Sequence, residues 1–106
     1  MSEDSRNFTT VARVGEIPDG EGRAFEVAGK MVAVFLTEGT YRAIDDCCPH
    51  QGAPLCDGFV EDRAVTCTWH GWRFSLETGK HLEGTRARVD VYPVRVQGDE
   101  IQVAVD

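Results

Sequence analysis

The sequence predicts an all-β protein, with seven to nine short strands in a sandwich or small barrel. Three observations carry this. Apolar and polar residues alternate with a period of two along most of the chain, the pattern of a strand with one buried face. Eleven glycines are spread through the intervals between the alternating runs. No stretch of ten or more residues repeats its apolar positions every 3.6 residues, as an amphipathic helix must.

Phe8 to Val14 reads as the first strand. Arg23 to Val27 and Met31 to Leu36 form a hairpin around Ala28-Gly29-Lys30. Thr40 to Ile44 follows the short turn Glu38-Gly39. Ala64 to Thr68 and Trp72 to Leu76 are the next strands, with Glu77-Thr78-Gly79-Lys80 as a turn. Val91 to Gln97 and Glu100 to Val105 flank Gly98-Asp99, and this is the strongest hairpin signal in the chain. A length of 106 residues leaves no room for a second core. Residues 1–7 are expected to be a loose tail, and residues 8–106 a single domain.

The longest apolar run, Met31 to Leu36, is six residues and cannot span a bilayer. The polar start Met1-Ser2-Glu3-Asp4-Ser5-Arg6 is followed by no apolar h-region, so no secretory signal and a cytoplasmic location are expected. Eleven Lys and Arg against 18 Asp and Glu give a net charge of -7, which argues against nucleic acid as a partner. Four cysteines in such a chain point to metal or redox chemistry rather than a disulfide scaffold.

Asp46 to Phe59 breaks the strand pattern, with two prolines, two glycines and three of the four cysteines. Loops of this length in small domains are usually functional. It contains Cys48-Pro49-His50, and sixteen residues separate His50 from a second motif, Cys67-Thr68-Trp69-His70. Each motif offers one thiolate and one imidazole, a set that suits zinc or iron–sulfur chemistry rather than magnesium or calcium. Zinc fingers commonly pair two Cys from one knuckle with two His from a helix. Here the ligand types are split evenly between two loops, which suits a two-iron cluster with both thiolates on one iron and both imidazoles on the other.

The spacing Cys48-x-His50 and Cys67-x-x-His70 resembles the signature of the Rieske iron–sulfur proteins. The strings Cys48-Pro49-His50-Gln51-Gly52-Ala53-Pro54-Leu55 and Trp69-His70-Gly71-Trp72-Arg73-Phe74 sharpen the resemblance, and Tyr92-Pro93-Val94 extends it to the C-terminal end. They are similar to the soluble Rieske ferredoxins of bacterial ring-hydroxylating dioxygenase systems and to the small subunit of NADH-dependent nitrite reductase. The resemblance implies a Rieske-type fold with a cluster-binding part of two loops, at about residues 45–82. It implies one [2Fe–2S] cluster on Cys48, His50, Cys67 and His70, with the histidine edges towards solvent as the electron exit. It also implies a non-catalytic one-electron carrier between a flavin-dependent reductase and a terminal oxygenase, or alternatively a partner of the nitrite reductase large subunit.

Charge counting explains the mixed ligands. Two ferric ions, two sulfides and two thiolates sum to zero, whereas four thiolates leave two more negative charges and a lower potential. The respiratory Rieske proteins carry an extra cysteine in each loop, joined as a disulfide; the corresponding positions here are Ala53 and Trp69. Their Ser and Tyr hydroxyls after the second ligand histidine are replaced by Trp72 and Phe74. The expected potential therefore lies near the low end of a range of about -150 to +300 mV.

Other residues have more ordinary readings. Cys47 and Cys56 are read as buried free thiols, with a disulfide between them as the alternative. His81 is read as a surface or loop histidine. Trp69 and Trp72 either pack the cluster loop onto the sheet or form an aromatic lid. Gly52 and Gly71 are expected to allow close backbone approach to the sulfides. Pro93 is either a strand-edge residue or part of a third loop over the cluster. Asp45, Asp46, Asp57, Glu61 and Asp62 are either solvated surface or an acidic rim steering a basic partner.

Overall fold

The computed structural model describes residues 8–47, 54–68, 71–82 and 86–105, so the tail expected at residues 1–7 lies outside the described residues. In chain order the strands are β1 (Thr9–Arg13), β2 (Gly22–Val27), β3 (Lys30–Thr37), β4 (Thr40–Asp45) and β5 (Phe59–Glu61). They continue as β6 (Ala64–Thr66), β7 (Arg73–Ser75), β8 (Val91–Tyr92), β9 (Val94–Gln97) and β10 (Glu100–Val103). Leu55–Asp57 is a single 3-10 turn. Among the described residues no helix is long and apolar enough to cross a membrane.

The strands form three antiparallel sheets, with orders β1-β10-β9, β2-β3-β4-β8 and β5-β6-β7. The four-stranded sheet is the middle layer. Alternate residues of β3 serve opposite faces, as the pleat requires. Ala33 and Phe35 pack with Leu55, Val65, Cys67 and Phe74 under the β5-β6-β7 sheet. Val32 and Val34 pack with Ala12, Ile17, Ile101 and Val103 under the β1-β10-β9 sheet. Cover on both faces is why β3 reads as an unbroken apolar run rather than an alternating one. Fully burying a residue such as Phe35 contributes about 1.5–3 kcal/mol relative to leaving it exposed.

The turns follow from local chemistry. Val27 pairs with Lys30 and Thr37 with Thr40, leaving two-residue loops. Ala28-Gly29 and Glu38-Gly39 have positive φ at both positions, the twist that a tight hairpin needs. Lys30 therefore belongs to β3 rather than to the turn.

Three elements differ from the sequence reading. Strand β5 was hidden within and just beyond the irregular segment because it is three residues long and Phe59 is 72% exposed, so it carries no alternating signal. The expected strand Val91 to Gln97 is divided at Pro93, which has no N–H for a ladder. β8 joins the middle sheet and β9 the outer one, so Pro93 marks a change of sheet, and its carbonyl accepts the Ala104 N–H at 3.2 Å. Ten strands among the described residues thus exceed the expected seven to nine.

Candidate metal centre

Cys67 leaves the end of β6 and is 1% exposed. Its N–H donates to the Trp72 carbonyl at 2.7 Å, and its carbonyl accepts the Gly71 N–H at 3.0 Å. These bonds close the connection between β6 and β7 on itself. Gly71 has φ +75°, and a Cβ placed there would meet nothing within 4 Å. Glycine is needed for the left-handed backbone, not for space. The Gly71 amide donates to the Cys67 carbonyl, so this residue shapes the turn that carries Cys67.

An aromatic stack lies beside this turn. Trp72 and His81 are nearly parallel, with ring centroids 4.2 Å apart, and Phe74 lies 5.5 Å from the His81 ring. Trp72 packs against the core that contains Cys67. His81 is only 8% exposed and bridges to Phe74 as an extension of β7. This corrects the reading of His81 as a surface histidine: its backbone continues the sheet, which turns its ring inward onto Trp72.

The first motif is bracketed by its flanks. Cys47 pairs with Pro54 in an isolated bridge. The Asp46 carbonyl accepts the Leu55 N–H at 2.6 Å, and its Oδ1 accepts the Cys56 N–H at 2.9 Å. Asp46 is 9% exposed. Next to it, Asp45 Oδ1 accepts the Tyr92 hydroxyl at 2.6 Å and Oδ2 accepts the Asp90 N–H at 3.1 Å. Burial, followed by the hydrogen bond to Asp45, pushes the Tyr92 hydroxyl well above its ordinary pKa. Asp45 and Asp46 are thus internal braces. Of the five carboxylates proposed for an acidic rim, Asp57, Glu61 and Asp62 are exposed.

Of the four candidate ligands, Cys67 is described; Cys48, His50 and His70 lie outside the described residues, as do Gly52 and Trp69. Accordingly, no group of three metal-capable side chains occurs among the described residues. Cys47 and Cys56 are free thiols. Cys47 is exposed and Cys56 half-buried, so neither is the fully buried thiol expected. The Cys56 thiol is pushed up to about 12 by burial and by the Asp46 and Asp57 carboxylates. Gly58 was not singled out in the sequence, yet a Cβ there would lie 2.5 Å from the Thr66 carbonyl oxygen, so it lets the first loop close onto β6. Asp46 and His81 were also missed as structural partners; sequence spacing alone does not encode their contacts.

The described part of the site fits an iron–sulfur group. Cys67 supplies a soft, unoxidised sulfur donor from a turn fixed by two backbone bonds. The donor types in the two motifs, thiol and imidazole, are those a two-iron cluster with mixed ligands takes.

Known proteins agree with this geometry. Residues 7–93 match the Rieske [2Fe-2S] domain. The ferredoxin component of the alkene monooxygenase system of Xanthobacter autotrophicus is 30% identical over 105 residues, covering 98% of this chain and 86% of that one. The ferredoxin of carbazole 1,9a-dioxygenase from Nocardioides aromaticivorans IC177 superposes with a TM-score of 0.87 at 30% identity, covering 93% of this chain and 98% of the other. A putative NADH-dependent nitrite reductase small subunit from Mycobacterium tuberculosis gives a TM-score of 0.90 at 32% identity, over 97% and 98% of the two chains. With the middle sheet, the buried Cys67 turn and this likeness along nearly its whole length, the chain belongs to the Rieske [2Fe-2S] domain family.

Proposed function

We propose that this protein is a one-electron carrier, a Rieske-type ferredoxin that takes an electron from a flavin-dependent reductase and gives it to a terminal oxygenase. The observation that carries this reading is the buried Cys67 on a closed turn, with the second motif's Trp72 packed behind it. The named ferredoxin relatives belong to oxygenase systems, which supports the choice of partner. The cofactor is one Rieske [2Fe–2S] cluster, which accepts and releases a single electron when bound. Cys48 and Cys67 would hold one iron and His50 and His70 the other.

The chain's own residues do the rest. The Cys67–Trp72 turn fixes the direction of one thiolate. Phe74, Leu76 and Val65 pack around Cys67 and exclude water from the inner side. Asp46 ties together the chain on either side of the first motif. Trp72 and Phe74 carry no hydroxyl to stabilise added charge, which supports a potential near the low end of the Rieske range. Residues 8–106 form the single Rieske domain on this reading, with the cluster-binding part at about 45–82.

The likeness to the nitrite reductase small subunit favours a second reading, a permanent partner of a reductase large subunit. Solution mass separates the two, since a carrier purifies without its partner and a subunit stays in complex. Anaerobic EPR with a redox titration tests the shared premise. A reduced-state Rieske signal at low potential is expected, and Cys67→Ser should remove it. A colourless, zinc-loaded protein purified without exposure to oxygen would sink both readings.

A further inference from the structure

Beyond β7 the third sheet continues as a two-stranded ribbon. His81 bridges to Phe74, and Lys80 bridges to Arg88 on the next segment. Backbone bonds hold it: Leu82 N–H to Arg73 O at 2.9 Å, His81 N–H to Ala87 O at 3.0 Å and Val89 N–H to Gly79 O at 2.8 Å. Burial alternates along both segments. His81 and Val89 are buried and Ala87 packs against the Cys67 core, while Lys80, Leu82, Arg86 and Arg88 are exposed.

The outward row is unusual in its charges. Most other described cations are committed: Arg13 pairs with Asp99, Arg23 with Glu21, Arg42 with Glu77, and Arg63 with Glu38 and Glu77. Arg95 lies over the Phe8 ring and donates to Gln102, and Lys30 sits over Tyr92. Among the described residues, Lys80, Arg86 and Arg88 have no carboxylate partner. Lys80 and Arg88 also face one another across the ribbon, and like charges directly opposite destabilise a strand pair. Leu82, 48% exposed, adds an apolar contact on the same row. The row ends at Asp90, whose backbone belongs to the Asp45 junction. On a chain of net charge -7, these three cations form a positive row without a carboxylate partner among the described residues. The exposed carboxylates Asp57, Glu61 and Asp62 lie at the β5 end of the same sheet. The unpaired cations of this layer thus lie on the ribbon, at the edge away from β5.

We propose that the outward face of this ribbon, formed by Lys80, Leu82, Arg86 and Arg88, is a docking surface for an acidic patch on the terminal oxygenase. The proposal rests on the electron-carrier reading and deepens it. Charge complementarity identifies the chemistry of the partner's face, and the ribbon's place against the Trp72–Phe74 stack brings that face to the cluster-bearing layer. The direction is opposite to what the net charge alone suggests, which is a basic partner.

The test uses the full-length holoprotein, chemically reduced, and the terminal oxygenase from the same host. Stopped-flow absorbance reads the second-order rate of electron transfer across a range of salt concentrations. The double variant Arg86→Glu/Arg88→Glu should be about tenfold slower at ~20 mM salt and within about twofold of wild type at ~0.5 M, where screening is nearly complete. Arg86→Gln/Arg88→Gln, a milder change, should fall between. Arg13→Glu/Arg23→Glu makes the same change in net charge away from the ribbon and should stay within about twofold throughout. Equal rates for wild type and the ribbon variants, or equal slowing in the Arg13/Arg23 control, would overturn the docking proposal while leaving the carrier reading intact. An effect seen with the flavin reductase but not with the oxygenase would overturn it as well. Failure of the wild-type protein to pass electrons to the oxygenase would bring down the carrier reading, and this proposal with it.

Discussion

Replacing Asp46 with alanine should loosen the first cluster loop without touching a ligand. The Asp46 carboxylate accepts the Cys56 N–H at 2.9 Å from a site that is 9% exposed. Its backbone bond to Leu55 survives the substitution, whereas the side-chain bond does not. A hydrogen bond to a charged group contributes about 1.5–3 kcal/mol, and the site is too buried for solvent to screen much of it. A loss of about 2 kcal/mol is expected for Asp46→Ala. Asp46→Asn keeps an oxygen acceptor and should lose about 1 kcal/mol. If iron leaves through opening of this segment, its release to a chelator should quicken about 30-fold in the alanine variant and about fivefold in the asparagine variant. Anaerobic bleaching of the cluster absorbance under excess chelator measures this, with far-UV circular dichroism confirming the fold. Alanine and wild-type proteins losing iron at the same rate would refute the brace. Asparagine behaving as alanine would show that the acceptor oxygen is not what matters.

Three further outcomes follow from the same geometry. Trp72→Ala removes the ring stacked on His81 and should cost about 3 kcal/mol, lowering the thermal midpoint by more than about 10 °C; Trp72→Phe should lose less than half of that. Gly71→Ala forces a side chain into φ +75° and should cost about 1 kcal/mol, with Gly71→Asn milder, read from thermal midpoints. Cys56 should alkylate at least about tenfold more slowly than an ordinary thiol at pH 8, because its pKa rises from 9.0 to about 12 and its thiolate fraction falls further than its nucleophilicity rises. The folded state then holds this proton more tightly than the unfolded state does. The associated stabilisation is complete below pH 9, is lost as pH rises towards about 12, and should be absent in Cys56→Ser; peptide mapping and alkaline unfolding check the two parts.

Much of the strand content was legible because hairpins are local. Gly98-Asp99 and Glu38-Gly39 sit where two-residue loops were expected, since the turn residues and the flanking alternation agree. The division into three sheets was not legible. A period of two says that a residue faces inward, but not towards which neighbouring layer, and so Val34 and Phe35 look alike in sequence while serving different cores. The family could be read from motifs because metal-binding spacing is a local property. The braces could not: Asp46 and Cys56 are ten residues apart, and Asp45 meets Tyr92 across 47. His81 was misread for a similar reason, since only pairing with Phe74 turns its ring towards Trp72.

The middle sheet gives the molecule two interiors that share a backbone. Val32 and Val34 belong to one and Ala33 and Phe35 to the other. A change of side-chain volume in one interior first meets the outer sheet on that side, because alternate β3 side chains face opposite cores. The layer that carries Cys67 therefore depends on one face of β3, and the outer β1-β10-β9 sheet on the other, so each alternate residue of this one strand answers to a different half of the molecule.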